Sequence, residues 1–184
     1  MHSERIVRQV CRGTVVLCAG AVAACATGVA SPSAGDAGPV TGNLLAIARF
    51  ESPESATDPD AAHRESGCPL GVPRVEDGTL ELETSACIAF WVGIPLLAGV
   101  RAGEALTLVT THSALAARAP GEAHLRIDLD DEVLSDRLVP IPSSDAIDVT
   151  SVTPARAHGA GSRLRVHLHN HGANSWRVVS LARP

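Results

Sequence analysis

In three segments between residue 79 and residue 169 the apolar residues fall at alternate positions. Leu80 and Leu82 alternate with Glu81 and Glu83, and Leu125, Ile127 and Leu129 with His124, Arg126 and Asp128. Leu164, Val166 and Leu168 do the same with Arg163, Arg165, His167 and His169. A period of two sends each apolar set to one face of a strand. Residues 86–94 are more continuously apolar, as in a strand covered on both faces. Residues 43–50, 105–111, 147–152 and 176–181 are also compatible with strands. Pro95, Ala102-Gly103, Asp130-Asp131 (leading into Val133-Leu134) and Gly172-Ala173-Asn174 break these runs where turns are needed. No stretch from 43 onward keeps a 3.6-residue period with helix caps. The pattern predicts an all-β domain, an antiparallel β-sandwich or barrel of about eight or nine short strands.

The N-terminal region has a different character. Arg5, Arg8 and Arg12 form a basic head, and residues 14–24 are an uncharged apolar run. As a helix that run would rise only about 16 Å, roughly half of a ~30 Å hydrocarbon core. It has the layout of a secretory signal and is too short for a retained span. Its end, Val22-Ala23-Ala24-Cys25, resembles the lipobox of bacterial lipoproteins. The resemblance implies a signal peptide over 1–24 and an acylated Cys25 as the first mature residue, held in a lipid bilayer. Cleavage after Gly28-Val29-Ala30, releasing a soluble protein, is the alternative. Either way the domain is expected outside the cytoplasm, in the cell envelope. Residues 25–42, after Cys25 mostly Ala, Gly, Ser and Pro, read as a flexible tether. The β-sandwich domain is then 43–184, with a polar loop over 51–67.

Charge narrows the partners. The chain has 15 basic and 20 acidic residues, of which Arg5, Arg8, Arg12 and Glu4 lie in the leader. Without the leader the chain carries a net negative charge, which argues against nucleic acid as a partner. It also argues against attachment to anionic lipid by charge, so a membrane link would have to come from acyl chains. All fifteen basic residues are Arg and Tyr is absent, a bias expected of a GC-rich coding sequence. The large rings are Phe50, Phe90, Trp91 and Trp176. The core must therefore be built from Val, Leu, Ile and Ala.

Cys11 and Cys18 leave with the leader, and Cys25 is expected to carry lipid. Cys68 and Cys87 remain, and an even pair in an extracytoplasmic domain is most simply a disulfide. Closing a loop of about 20 residues would stabilise the fold by roughly 3 kcal/mol in the chain-entropy treatment. Two metal-ligating thiolates are the alternative, although neither has a CxxC partner.

Three short segments carry a further resemblance. Asn43-Leu44-Leu45 with Phe50-Glu51 is similar to the first strand of jelly-roll carbohydrate-binding modules. Val100-x-x-Gly103-Glu104-x-Leu106-x-Leu108 is similar to the start of their middle strand. Residues 169–176, His-Asn-His-Gly-Ala-Asn-Ser-Trp, resemble their closing hairpin. The resemblance implies a galactose-binding-like jelly roll and a glycan as ligand. The chain departs from that pattern in having no Tyr and few aromatics for a stacking platform.

Side-chain chemistry marks the candidate ligand-binding residues. A Trp face is apolar and accepts the C–H groups of a sugar ring, which singles out Trp91 and Trp176, with Arg165 hydrogen bonding at the rim. A Trp heading an alternating strand more often fills the core. His167, His169 and His171 form HxHxH, in which i and i+2 side chains share a face about 6.6 Å apart, a spacing that suits Zn²⁺ or Cu²⁺. Val-His-Leu-His-x-x-Gly is similar to the copper-binding strand of copper-zinc superoxide dismutase. Further ligands would have to come from His112, His124 or His158. The plainer reading makes these His a polar strand face. Asp128, Asp130, Asp131 and Glu132 offer clustered oxygens for Ca²⁺, though hairpin tips commonly carry acids. Glu81 and Glu83 share a strand face without marking an acid/base pair.

No GxSxG, Walker A loop, strand-linked GxGxxG or HExxH is present. The sequence therefore predicts no catalytic role and no required cofactor. It predicts an envelope-anchored, non-catalytic binding domain, with glycan as the first ligand class. A structural or adaptor role toward another envelope protein is the second, and a metal-binding role for the HxHxH strand the third.

Overall fold

The computed structural model describes residues 42–52, 72–85 and 87–184. They form two antiparallel sheets. In chain order the strands are β1 (Arg74–Glu76), β2 (Thr79–Glu83), β3 (Ala89–Pro95), β4 (Leu106–His112) and β5 (Gly121–Leu129). The remaining strands are β6 (Glu132–Ile141), β7 (Ala146–Val152), β8 (Arg163–His169) and β9 (Ser175–Ala182). One sheet has the order β1-β2-β9-β4-β7 and the other β3-β8-β5-β6.

The wrapping is set by the pairing. β5 pairs with β6, β4 with β7, β3 with β8 and β2 with β9. Strands β2 to β5 thus run out as one side of a long ribbon, and β6 to β9 return as the other. Folding that ribbon over brings β4 against β9 and β5 against β8. This is the jelly-roll arrangement, which buries one face of each sheet.

The alternation read from the sequence defines the buried layer. Leu80 and Leu82, Leu106 and Leu108, and Trp176, Val178 and Leu181 face inward from the first sheet. Phe90, Val92 and Ile94, Leu125, Ile127 and Leu129, and Leu164, Val166 and Leu168 face them from the second. At roughly 1.5–3 kcal/mol for each buried large aliphatic side chain, this layer is the main favourable contribution to folding.

Residues 43–50 differ from the expected strand. Asn43 bridges Ala182 in the first sheet, while Leu45 bridges Leu96 beside the second, with a 3₁₀ turn at Ile47–Arg49. Since the segment crosses from one sheet to the other, it cannot stay in either ladder. Its apolar residues Leu44, Leu45 and Ile47 still enter the core.

β6 is much longer than the Val133-Leu134 pair expected. It is an edge strand, where a half-exposed pattern and a proline at Pro140 are tolerated.

The β8–β9 turn is fixed by a buried polar plug. The Thr84 hydroxyl donates to the Gly172 carbonyl (2.6 Å) and accepts from Asn170 Nδ2 (2.8 Å) and the Asn174 N–H (3.0 Å). The Asn174 side chain accepts from the Ala116 N–H (2.8 Å) and donates to the Ala116 carbonyl (3.2 Å), as a strand neighbour would. Gly172 has φ 101°, and a Cβ there would lie 2.0 Å from the Ala116 oxygen.

Candidate functional site

The candidate site is the outward face of the β3-β8-β5-β6 sheet. With Phe90, Val92, Leu164, Val166, Leu168, Leu125 and Ile127 turned to the core, the pleat sends their sequence neighbours outward. Register then assembles the face. Trp91 stands opposite His167, His167 opposite Arg126, and Arg126 opposite Asp136. One rung along, Gly93 is opposite Arg165, and Arg165 opposite Asp128. In the other direction Ala89, His169, His124 and Leu138 line up.

Trp91 is half-buried, with its ring centroid 5.8 Å from that of His167 at an interplanar angle of 58°. His167 is buried at 3% exposure, and His124 meets it edge-on, also at 5.8 Å. His124 Nε2 lies 2.6 Å from Asp136 Oδ1. Arg126 Nε donates to both oxygens of the buried Asp128, at 3.0 and 3.2 Å. Gly93 puts no side chain between Trp91 and Pro95, and the nearest side-chain atom to a Cβ there would be Arg163 Cδ at 3.7 Å. Arg165 is partly exposed, 3.8 Å from Asp131. The result is one half-buried aromatic beside guanidinium and imidazole donors and carboxylate acceptors. Such a set can take the apolar side of a ring on Trp91 while hydrogen bonding its hydroxyls.

At the end of this sheet lies the Asp130-Asp131 turn, with Asp130 at φ 52°. The buried His158 ring is held between two carboxylates, Nδ1 3.0 Å from Asp130 Oδ2 and Nε2 3.0 Å from Glu132 Oε2. Asp130 also accepts from the Arg163 N–H at 2.9 Å, and Glu132 from the Ala155 N–H. Burial pushes the Asp130 carboxyl up, but the Arg163 N–H and His158 outweigh it and hold it below its ordinary value. The Ala155 N–H, then His158, hold Glu132 below its ordinary value too. With Asp128 engaged by Arg126, the acids read as candidate Ca²⁺ oxygens are bound up in protein contacts, Asp131 more loosely through Arg156 at 3.4 Å.

Two of the three residues expected to bind ligand, Trp91 and Arg165, share this face. The third does not. Trp176 points between the sheets at 2% exposure, packed on the buried His112 at 4.7 Å. A ring so enclosed has no face to offer a ligand, which corrects the expectation for Trp176. Asp136 was missed because its place depends on the β5–β6 register, which shifts at Ile127/Asp128.

His167 and His169 lie on the outward face of β8, and His169 meets His171 edge-on with centroids 4.8 Å apart. Among the described residues no group of three or more His, Cys, Asp or Glu side chains converges as metal ligands would. None of their helices is long and apolar enough to cross a membrane. Cys87 is half-buried just before β3. Its expected partner Cys68, and the expected lipid site Cys25, lie outside the described residues.

No protein-family model and no curated protein sequence matches the chain. Among solved structures, it is similar to the N-terminal cellulose-binding domain of β-1,4-glucanase C from Cellulomonas fimi, at 14% identity and TM-score 0.42. That likeness covers 64% of this chain and 86% of the other. A CBM4 carbohydrate-binding module is similar at 14% identity and TM-score 0.36, over 62% of this chain and 81% of that one. An arabinose-bound α-L-arabinofuranosidase is similar at 10% identity and TM-score 0.39, over 56% of this chain; the chain spans only 19% of the enzyme's length.

Proposed function

We propose that the protein is a non-catalytic glycan-binding lipoprotein of the cell envelope, binding through the outward face of the β3-β8-β5-β6 sheet. The observation that supports this is the placement of Trp91. It is a half-buried ring on a sheet face, opposite His167 and diagonal to Arg165, with Arg126, His124 and Asp136 beyond. A sugar ring has an apolar face and an equatorial rim of hydroxyls. Trp91 suits the first and the surrounding charged and imidazole groups suit the second. In this reading Trp91 is the stacking residue and Arg165 a hydrogen-bond donor at the rim. Acylation at Cys25 would keep the domain at the membrane, and the segment to residue 42 would give it reach.

The test is a glycan array that includes cell-wall polysaccharides, probed with the full chain. Saturable binding to a subset of glycans is expected. Trp91→Ala should weaken it at least about tenfold and Arg165→Ala less, as for a central aromatic against a rim charge. No retained glycan, or equal binding by Trp91→Ala, would contradict the proposal.

A further inference from the structure

The two sheets have four edges, and among the described residues only one is a long ladder left open without a proline or a basic residue. β1 is three residues, two of them Arg74 and Glu76. β3 is closed at Gly93, whose N–H and carbonyl both bond Glu51 at 2.8 Å. β6 carries Pro140 and Asp136. β7, Ala-Ile-Asp-Val-Thr-Ser-Val, has no proline and no basic residue, and pairs on one side only, with β4. Its outward residues Ile147 and Val149 are 74% and 66% exposed, more than any other large apolar side chain described. Its single charge, Asp148, turns inward, where Arg137 of β6 grips both oxygens at 2.8 Å. Apart from that inward charge, which Arg137 neutralises, the edge has none of the proline, lysine or bulge that keep strands apart, and such an edge is a template for another strand.

We infer that the partner is a second copy of this chain, joined β7 to β7 about a two-fold axis through Val149. Antiparallel neighbours put opposing residues on the same face, so the axis must pass through a residue. Val149 is the middle of Ala146–Val152, so only this axis pairs all seven residues. It sets Val149 against Val149, Ile147 against Ser151, and Asp148 against Thr150, a hydroxyl that can donate to it. An axis through Asp148 would oppose two carboxylates, which is destabilising. An axis through Thr150 would shorten the overlap. The pairing is isologous, as closed two-fold dimers require, and makes one continuous ten-stranded sheet. It leaves the Trp91 face open, so it stands independently of the glycan reading.

Cysteine cross-linking of the full chain, with copper phenanthroline as oxidant, tests the register. Across such a pair the two Val149 Cα atoms would be about 4.5–5.5 Å apart, within disulfide range. Val149→Cys should give a cross-linked dimer above the level of the parent chain. Ile147→Cys should not, since the two copies of that residue would be four residues apart along the ladder. Sedimentation velocity of the unmodified chain should show a concentration-dependent dimer. Val149→Lys should raise its dissociation constant at least about tenfold, with circular dichroism unchanged. A chain that stays monomeric at about 100 µM would overturn the inference. So would equal cross-linking at 147 and 149, or a Val149→Cys adduct formed only with a different protein.

Discussion

Trp91 and His167 face each other across the β3–β8 ladder with ring centroids 5.8 Å apart, and only the Trp is open to solvent. The other Trp, Trp176, has 2% exposure. The protein therefore carries one reporter on the candidate face and one in the core. Acrylamide should quench the fluorescence of Trp176→Phe, which retains Trp91, several-fold more strongly than that of Trp91→Phe. Equal quenching would place both rings alike and contradict the described face.

The clamp of Asp130 and Glu132 on His158 gives the acid stability a definite sign. Both carboxyls are held below their ordinary values in the folded state. The stability they contribute is fully present above the ordinary carboxylate range, about pH 4, and is lost as pH falls through their lower folded values. Thermal unfolding followed by circular dichroism should show the melting temperature falling below about pH 4. His158→Ala should make that fall shallower, leaving the part due to other lowered carboxyls such as Glu81 and Asp148. An identical acid slope in the variant would mean that the clamp contributes nothing.

Gly172 admits no side chain. A Cβ there would lie 2.0 Å from the Ala116 oxygen, and φ is 101°. Gly172→Ala should destabilise the fold by roughly 3 kcal/mol or more, through backbone strain and displacement of the Asn174 plug. Gly161→Ala, at φ 85° with nothing within 4 Å, is the milder control. Denaturant unfolding that ranks the two alike would refute the steric argument.

The legible parts of this fold are those that local pattern decides. β2 and β8 were readable to the residue because Leu80, Leu82, Leu164, Val166 and Leu168 alternate cleanly. The Asp130-Asp131 turn was readable because short acidic residues tolerate positive φ. The β1–β2 hairpin was missed although Asp77-Gly78 signals it strongly. Both residues have positive φ, at 50° and 74°. Residues 43–50 look like a strand locally, but they cross between sheets for a reason that lies in distant segments. Trp176 alternates with Ser175 and Arg177, which already points it inward, whereas Trp91 sits in the continuously apolar run 86–94, where nothing local tells which face it takes. The site was half legible for the same reason. β8 gave Arg165 and His167, whereas Asp136 joins only through a register broken by a bulge.

The cysteine chemistry has its own test. Mass spectrometry of the chain recovered from membranes should find an acylated N-terminal Cys25. Non-reducing peptide maps should join Cys68 to Cys87, with neither labelled by a thiol reagent in the folded protein. An unmodified leader would remove the anchor, and labelled thiols would remove the cross-link.

Glycan binding at Trp91 is tested by calorimetric titration of the full chain with the best-bound array glycan. One saturable site is expected, which Trp176→Phe, with the fold kept, leaves within about twofold and Trp91→Ala weakens at least about tenfold. Binding that survives Trp91→Ala undiminished would place the site elsewhere on the protein and rule out Trp91 as the stacking residue.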